Sequence, residues 1–159
     1  MNEREALGLV GCILVCEAVG AASGLASGAG IGAWYAGLKK PSISPPGWVF
    51  GPVWGVLYAM MGVAAWLIWR HHMHTPAGQV ALAVFVLQLV LNGLWSPAFF
   101  GARSPGLGML VITLLWAAIV GTIVAFAQVS VAAAWLLAPY LAWVSFAGVL
   151  NWMLWRMNR

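Results

Sequence analysis

Tryptophan is the residue type in this sequence whose chemistry points most clearly to a binding site. The chain contains 11 tryptophans among 159 residues, and each indole combines a large apolar ring with one N–H donor. With the polar Asn92 and Ser96 close by, such rings can line an apolar pocket with a few orienting hydrogen bonds, or pack against one another as ordinary core. The candidates predicted to share one side of the molecule are Trp34, Trp48, Trp54, Trp95 and Trp143.

The other reactive side chains give weaker signals. His71, His72 and His74 form a cluster just beyond a predicted helix end, with no carboxylate or thiol nearby to complete a metal site, so a solvated interface loop is favoured. Cys12 and Cys16 suit packing better than a disulfide at helical spacing. Without a Gly-rich phosphate loop or paired carboxylates, no hydrolytic or metal-dependent site and no obligatory cofactor are expected.

Glu17 is the one acidic residue predicted to lie at membrane depth. An ionisable group is costly there and is a functional candidate by default. The alternative is a protonated carboxyl hydrogen-bonded to Gln88 or Asn92. Both interpretations stay open.

The elements that must position these residues are membrane helices. The chain is 64% hydrophobic and carries only seven basic and three acidic side chains, whereas about a quarter of a soluble domain is charged. A membrane-spanning helix needs about 20 mostly apolar residues, and five segments qualify: 6–27, 47–68, 79–100, 106–128 and 131–153. The sequence therefore predicts an all-α integral membrane protein, a single five-helix bundle over 1–159, with no role in nucleic-acid binding. Four tryptophans near the helix ends are expected to form interfacial belts: Trp66, Trp69, Trp152 and Trp155.

Small residues recur every four positions along the first helix: Gly8, Cys12, Cys16, Gly20, Gly24 and Gly28. Such a stripe lets a second backbone approach closely. It packs either inside the bundle or against a second subunit, and the interior is favoured.

The basic residues predict the orientation of the bundle. Lys and Arg are enriched in cytoplasmic loops. One side holds five of them: Lys39, Lys40, Arg103, Arg156 and Arg159. The other side holds Arg4 and Arg70. We therefore expect the first loop and the C-terminus to be cytoplasmic.

The connector between the first two helices contains the stretch KKPSISPPGWVF, residues 39–50. Its prolines, Pro41, Pro45 and Pro46, preset the backbone and resist helix continuation. A connector so stiff is predicted to form a lid over one end of the bundle, with Trp34 and Tyr35 directed inward.

Three blocks of the sequence resemble the TspO/MBR family of translocator proteins, tryptophan-rich sensory proteins and peripheral benzodiazepine receptors. They are WYAGLKKPSISPPGWVFGPVWGVLYAMMG (34–62), QLVLNGLWSPAFFGAR (88–103) and PYLAWVSFAGVLNWMLWRMN (139–158). The resemblance implies a five-helix bundle, usually a homodimer, whose pocket under the first loop binds porphyrins, sterols and isoquinoline or benzodiazepine drugs. A role in tetrapyrrole sensing, regulation or transport follows as an expectation.

The resemblance also implies site residues. The ligand-binding positions are Trp34, Phe50, Trp54, Asn92, Trp95, Trp143, Ala147 and Leu150. Trp34 and Trp143 belong to the set that some members link to light-driven porphyrin breakdown, so they are the candidate catalytic residues of an uncertain enzymatic activity. Pro41, Pro45 and Pro46 are expected to shape the loop.

One departure weakens the expectation of sterol binding. The sterol-recognition segment of animal members has a tyrosine between its aliphatic and arginine positions. Here Val149 and Arg156 are present, but Trp152 replaces the tyrosine. A planar tetrapyrrole that stacks on indoles is the favoured ligand, sterol or lipid transport is the alternative, and the sequence looks prokaryotic in this respect, which suggests a prokaryotic cell membrane.

Overall fold

The computed structural model describes residues 2–28 and 32–159. Residues 29–31, in the predicted connector, lie outside that part. The described helices are α1 Glu3–Ser27, α2 Ala33–Gly37, α3 Gly47–His72, α4 Pro76–Ser96, α5 Pro105–Ala127, α6 Val131–Leu136 and α7 Ala138–Met157. Five stretches are long and apolar enough to cross a membrane: Glu3–Ser27, Gly47–His72, Pro76–Gly101, Pro105–Ala127 and Val131–Met157. The predicted all-α, five-span fold is confirmed.

Prolines modify two of the predicted spans. Pro97 follows α4 and the chain continues as a π-helical turn, Pro97–Gly101, in which the Ala102 N–H donates to the Pro97 carbonyl at 2.8 Å. The last span was predicted as one helix, but it divides at Leu137 into α6 and α7. Pro139 lies in the first turn of α7, where its missing N–H is tolerated.

Helix α1 packs closely against α3 through the predicted stripe of small residues. A Cβ atom added at Gly20 would overlap the ring of Tyr58, and one at Gly8 would lie 2.6 Å from the Trp69 ring. From the facing helix, a Cβ at Gly62 would lie 2.5 Å from the Ile13 Cα. The part of the stripe from Gly8 to Gly20 therefore faces α3, in agreement with the interior packing favoured from the sequence. A Cβ at Gly24 would meet no described atom within 4 Å, so the close contact covers only part of the stripe.

Polar contacts hold α1 to α3 at the end of the bundle where α1 begins. Arg70 forms an ion pair with Glu5 at 3.0 Å. The Trp66 indole N–H donates to the Glu5 carbonyl at 3.1 Å. Trp66 is only 7% exposed, so its assignment to an interfacial belt was wrong: it is a core side chain whose polar tip reaches a backbone acceptor. His71 and His72 belong to the last turn of α3 and not to a loop.

The opposite end of the bundle is covered by residues 32–46, hereafter the lid. Its α2 begins the segment, and Pro41 is buried. The Asn158 side chain makes two hydrogen bonds to one lid residue, because its Oδ1 accepts from the Lys39 N–H at 2.9 Å and its Nδ2 donates to the Lys39 carbonyl at 3.0 Å. Asn158 thus fastens the lid to the end of α7. The contact also puts the first loop and the end of α7 on one side, while their cytoplasmic location stays a prediction.

A cation contributes to the order of the lid. The Lys40 ammonium lies 4.6 Å from the centre of the Tyr35 ring, a favourable cation–π distance. Burial raises the pKa of the Tyr35 phenol, so the phenol stays neutral at physiological pH. The lid is therefore held by one bidentate side chain and by aromatic contacts.

The Gly62 contact predicts an unequal pair of glycine variants. Gly62→Ala should lower the free energy of unfolding by about 1–3 kcal/mol, because the new methyl group meets the α1 backbone. Gly55→Ala, on the same helix, should leave it unchanged or raise it, since a Cβ there meets no described atom within 4 Å. Thermal unfolding in detergent measures both, and equal stability of the two variants would contradict the close α1–α3 contact.

The Asn158 contact predicts faster opening of the lid in an alanine variant. Asn158→Ala should raise the exchange rate of the Lys39 amide hydrogen by about ten-fold, because each lost hydrogen bond contributes about 0.5–1.5 kcal/mol. Asn158→Asp keeps the acceptor and loses the donor, so its exchange rate should be intermediate. Arg159→Ala is the matched control. Unchanged protection of Lys39 in Asn158→Ala would show that the lid is held by other contacts.

Candidate ligand-binding site

Aromatic side chains fill the space beneath the lid. Trp34 meets Phe99 edge to face at a centroid distance of 5.7 Å, and Tyr35 meets Phe100 at 5.3 Å. Trp95 stacks on Phe99 at 5.5 Å. Phe99 is only 1% exposed, so the π-helical turn that carries it forms the surface on which the lid rests.

A second group of rings joins α3 to α7. Phe50 contacts Trp143 at a centroid distance of 5.8 Å. Trp54 stacks on Tyr58 at 5.4 Å and meets Tyr140 edge to face at 6.2 Å. Positions 50, 54 and 58 follow one another by one helical turn, so this face of α3 is aromatic along its lid-side half.

Below these rings runs a continuous chain of buried hydrogen bonds. The Tyr58 hydroxyl donates to Asn92 Oδ1 at 2.5 Å, and Asn92 Nδ2 donates to the Tyr140 hydroxyl at 2.8 Å. Tyr140 in turn donates to Gln88 Oε1 at 2.9 Å. We call these four side chains the polar chain. It joins α3, α4 and α7 in the interior of the bundle, where all four side chains are buried.

A second polar contact supports the π-helical turn. The Trp95 indole N–H donates to Asn151 Oδ1 at 3.2 Å, and Asn151 Nδ2 donates to the Pro105 carbonyl at 2.7 Å. Ser27 and Ser96 share a hydrogen bond between their hydroxyl groups. The ends of α1, α4 and α7 are therefore fixed to one another directly below the lid.

Three buried donors have no partner among the described residues: the Ser44 hydroxyl in the lid, Gln88 Nε2 and Trp143 Nε1. Trp143 lies between Phe50 and Phe146, two rings that offer no strong acceptor. An unpaired buried N–H costs about 1–3 kcal/mol. A molecule that brings a hydrogen-bond acceptor to Trp143 would therefore be stabilised at this position.

The structure brings together most of the residues predicted from the sequence. Six of them contribute to the aromatic groups or the polar chain: Trp34, Phe50, Trp54, Asn92, Trp95 and Trp143. Ala147 and Leu150 are buried on α7 after Trp143. Pro46 immediately precedes α3. Together they occupy the lid-side half of the bundle.

Trp48 was wrongly grouped with these residues. Its side chain is 77% exposed, because it follows Gly47 at the start of α3 and lies on the face away from Phe50 and Trp54. One of the two alternatives for Glu17 was a hydrogen bond to Gln88 or Asn92, and no such bond is found in the described residues, where both amides bond to tyrosines. Glu17 is partly exposed beside the buried Cys16.

Tyr58, Tyr140 and Phe99 were not predicted from the sequence as residues of the site. A signal was present for the tyrosines, since Tyr58 lies one turn after Trp54 and Tyr140 lies one turn before Trp143, which places each on the face of a predicted site residue. Phe99 depends on the π-helical turn and had no such signal. Within the described residues, no three His, Cys, Asp or Glu side chains come together as a metal site.

Comparison with known proteins places the chain in a family. The model of the TspO/MBR family matches residues 12–156. The human translocator protein is 48% identical over 126 residues, covering 79% of this chain and 75% of that protein. The tryptophan-rich protein TspO of Chlorobaculum tepidum is 43% identical over 155 residues, 98% of each chain. The tryptophan-rich sensory protein of Cereibacter sphaeroides is 38% identical over 125 residues, 79% of this chain and 77% of that one.

The family match covers nearly the whole chain, including all or most of each of the five helices that are long and apolar enough to cross a membrane. The chain is a membrane protein of the TspO/MBR family.

Proposed function

We propose that this protein is a membrane receptor that binds a planar tetrapyrrole, such as protoporphyrin IX, in the aromatic site under the lid. It would act as a sensor, carrier or regulator of tetrapyrrole. Membership of a family whose members carry the names translocator and sensory protein supports a ligand-responsive role. The observation that carries the proposal is the buried, unpaired indole N–H of Trp143 amid other aromatic rings.

The chemistry of protoporphyrin matches both the buried aromatic rings of the site and the charged lid above them. Its flat macrocycle offers faces for stacking on Trp54 and Trp143, and its hydrogen-bond acceptors are the two unprotonated ring nitrogens and the carboxylate oxygens. Its two carboxylates need water or cations, and Lys39 and Lys40 are exposed on the lid above the site. A macrocycle that enters with its apolar edge first therefore keeps its charges at the membrane surface.

The same site suits smaller aromatic amides. An isoquinoline or benzodiazepine ligand presents one carbonyl oxygen, which is the group that Trp143 Nε1 lacks. In this structure the rings of Phe50, Trp54 and Trp143 contact their neighbours. Binding therefore requires the lid to open and these side chains to separate.

Dark titration with protoporphyrin IX tests the binding site. Trp143→Phe should weaken binding by about two- to ten-fold, because it keeps a ring and removes one donor. The Trp54→Ala, Trp143→Ala double variant should weaken it by more than about ten-fold, since two stacking surfaces are lost. Absorbance and tryptophan quenching in detergent give the Kd values.

The control for this titration is Trp135→Phe. Trp135 is 72% exposed on α6, at the end of the bundle opposite the lid, so its replacement should leave the Kd unchanged. A double variant that binds protoporphyrin as tightly as the parent protein would rule out the aromatic site.

Light-dependent degradation of the bound porphyrin is the second candidate function. A photoexcited porphyrin can take an electron from a neighbouring indole, with dioxygen as the oxidant that completes ring opening. One arrangement favours this chemistry: Trp54 stacks on Tyr58, whose hydroxyl begins the polar chain. Tyrosine next to an oxidised indole offers a site to which the radical can move.

Illumination of the saturated complex tests this second function. We expect loss of the porphyrin spectrum with one defined product in aerated buffer, and suppression of that product in Trp34→Phe, Trp54→Phe and Trp143→Phe. Trp135→Phe should behave as the parent protein. Bleaching that persists unchanged in all three site variants would be photochemistry of the free porphyrin and would exclude an enzymatic role.

A further inference from the structure

The connection between α4 and α5 contains two uncommon backbone conformations. Its first part is the π-helical turn Pro97–Gly101. Arg103 follows with a φ of 50°, and it is the one residue other than glycine with a positive φ in the described part of the chain. We call residues 97–104 the floor segment, because the lid rests on it.

Both conformations cost free energy. A left-handed backbone is unfavourable for a residue that carries a Cβ atom, and π-helical turns are rare and frequent at functional sites. The Arg103 side chain is exposed, and its backbone N–H donates to the Phe100 carbonyl at 3.3 Å, which is a long hydrogen bond. Strained backbone of this kind persists only where the packing around it compensates.

Phe99 provides that packing. Its ring is almost fully buried, and its centroid lies 5.7 Å from that of Trp34 and 6.3 Å from that of Tyr35, both in the lid. The ring also lies against Gly108 of α5, where an added Cβ would come 2.6 Å from Phe99 Cδ2. The lid and α5 therefore both hold this ring, and the π-helical turn is the backbone that places it between them.

Opening of the lid removes two aromatic neighbours of Phe99 at once. The floor segment then loses part of the packing that offsets its strain. It can relax towards α-helical hydrogen bonds, in which each N–H donates four residues back, and Arg103 can return to a negative φ. The closed lid and the strained floor segment therefore stabilise each other, and a coupling of this kind is reciprocal.

We propose that the floor segment is a conformational switch, which is strained while the lid is closed and relaxes when a ligand separates the lid from Phe99. Occupancy of the aromatic site is then reported by the loop that contains Arg103, an exposed cation at the lid side of the bundle. The response to a tetrapyrrole rests on the function proposed above. The coupling between lid and floor segment does not depend on the identity of the ligand.

A pair of variants at position 103 separates backbone strain from side-chain charge. Arg103→Gly and Arg103→Ala lose the same guanidinium, but only glycine adopts a φ of 50° without strain. In the protein without ligand, the Lys39 amide hydrogen should exchange about five-fold more slowly in Arg103→Gly than in Arg103→Ala, because glycine favours the closed state. The Thr75 amide donates to the His72 carbonyl at the opposite end of the bundle. It should exchange at the same rate in both variants, and it is the control for a change in global stability.

The reverse coupling is tested from the lid. The Ala102 and Ser104 N–H groups donate to carbonyls five residues back, at 2.8 and 3.1 Å. Asn158→Ala loosens the lid, so it should speed the exchange of these two amides by about two- to five-fold, since both elements share one coupling free energy. Arg159→Ala keeps the contact between Asn158 and Lys39, and it should leave both rates unchanged.

Dark titration with protoporphyrin IX tests the response to ligand. Because binding has to relax the floor segment, Arg103→Gly should bind protoporphyrin about five-fold more weakly than Arg103→Ala. Slower exchange of Lys39 with equal Kd values would show that the ligand enters without moving the lid, and it would overturn the response to ligand.

The exchange measurements decide the coupling by themselves. Equal exchange of Lys39 in Arg103→Gly and Arg103→Ala would overturn the switch, and so would Ala102 and Ser104 rates that Asn158→Ala leaves unchanged. A parent protein that binds no protoporphyrin would contradict the tetrapyrrole function instead, while the exchange rates would still support or overturn the coupling.

Discussion

The organisation of this protein depends on the absence of water in the bilayer. Each polar group within the spans must find its partner in the protein, because an unsatisfied group at that depth costs several kcal/mol. The polar chain meets this requirement for both tyrosine hydroxyls, for Asn92 and for the carbonyl oxygen of Gln88 at once. Since its members come from α3, α4 and α7, the requirement also fixes how these three helices face one another.

The aromatic site is built on that arrangement. Trp54 stacks on the first tyrosine of the polar chain, and it meets the ring of Tyr140 edge to face. The ring positions are therefore set by hydrogen bonds below them as well as by packing beside them. Trp143 and Gln88 are the places where the requirement is not met by the described residues. A ligand that brings a hydrogen-bond acceptor therefore gains the most binding free energy where it pairs with one of these buried donors.

The sequence allowed the general plan to be predicted because its determinants are local. Span length, the inward stripe on α1 and the proline-rich lid follow from hydropathy, four-residue spacing and the fixed φ of proline. The division of the last span at Leu137 and the π-helical turn at Pro97 were not predicted, since proline is compatible with several local backbones. The Asn158 contact with Lys39 joins residues that are distant in sequence, so no periodic pattern of residues predicts it. The exposure of Trp48 was not predicted either, because a shift of one residue along a helix moves a side chain from the buried face to the exposed face.

The fastening of the lid has a consequence for the order of assembly in the membrane. Lys39 lies between the first two spans, whereas Asn158 follows the last one. During synthesis, the lid segment is made long before the side chain that secures it. Four further spans must enter the bilayer before Asn158 can secure the lid over the aromatic rings. The closed site is therefore a property of the completed bundle, and no partial set of helices that lacks α7 can reproduce it.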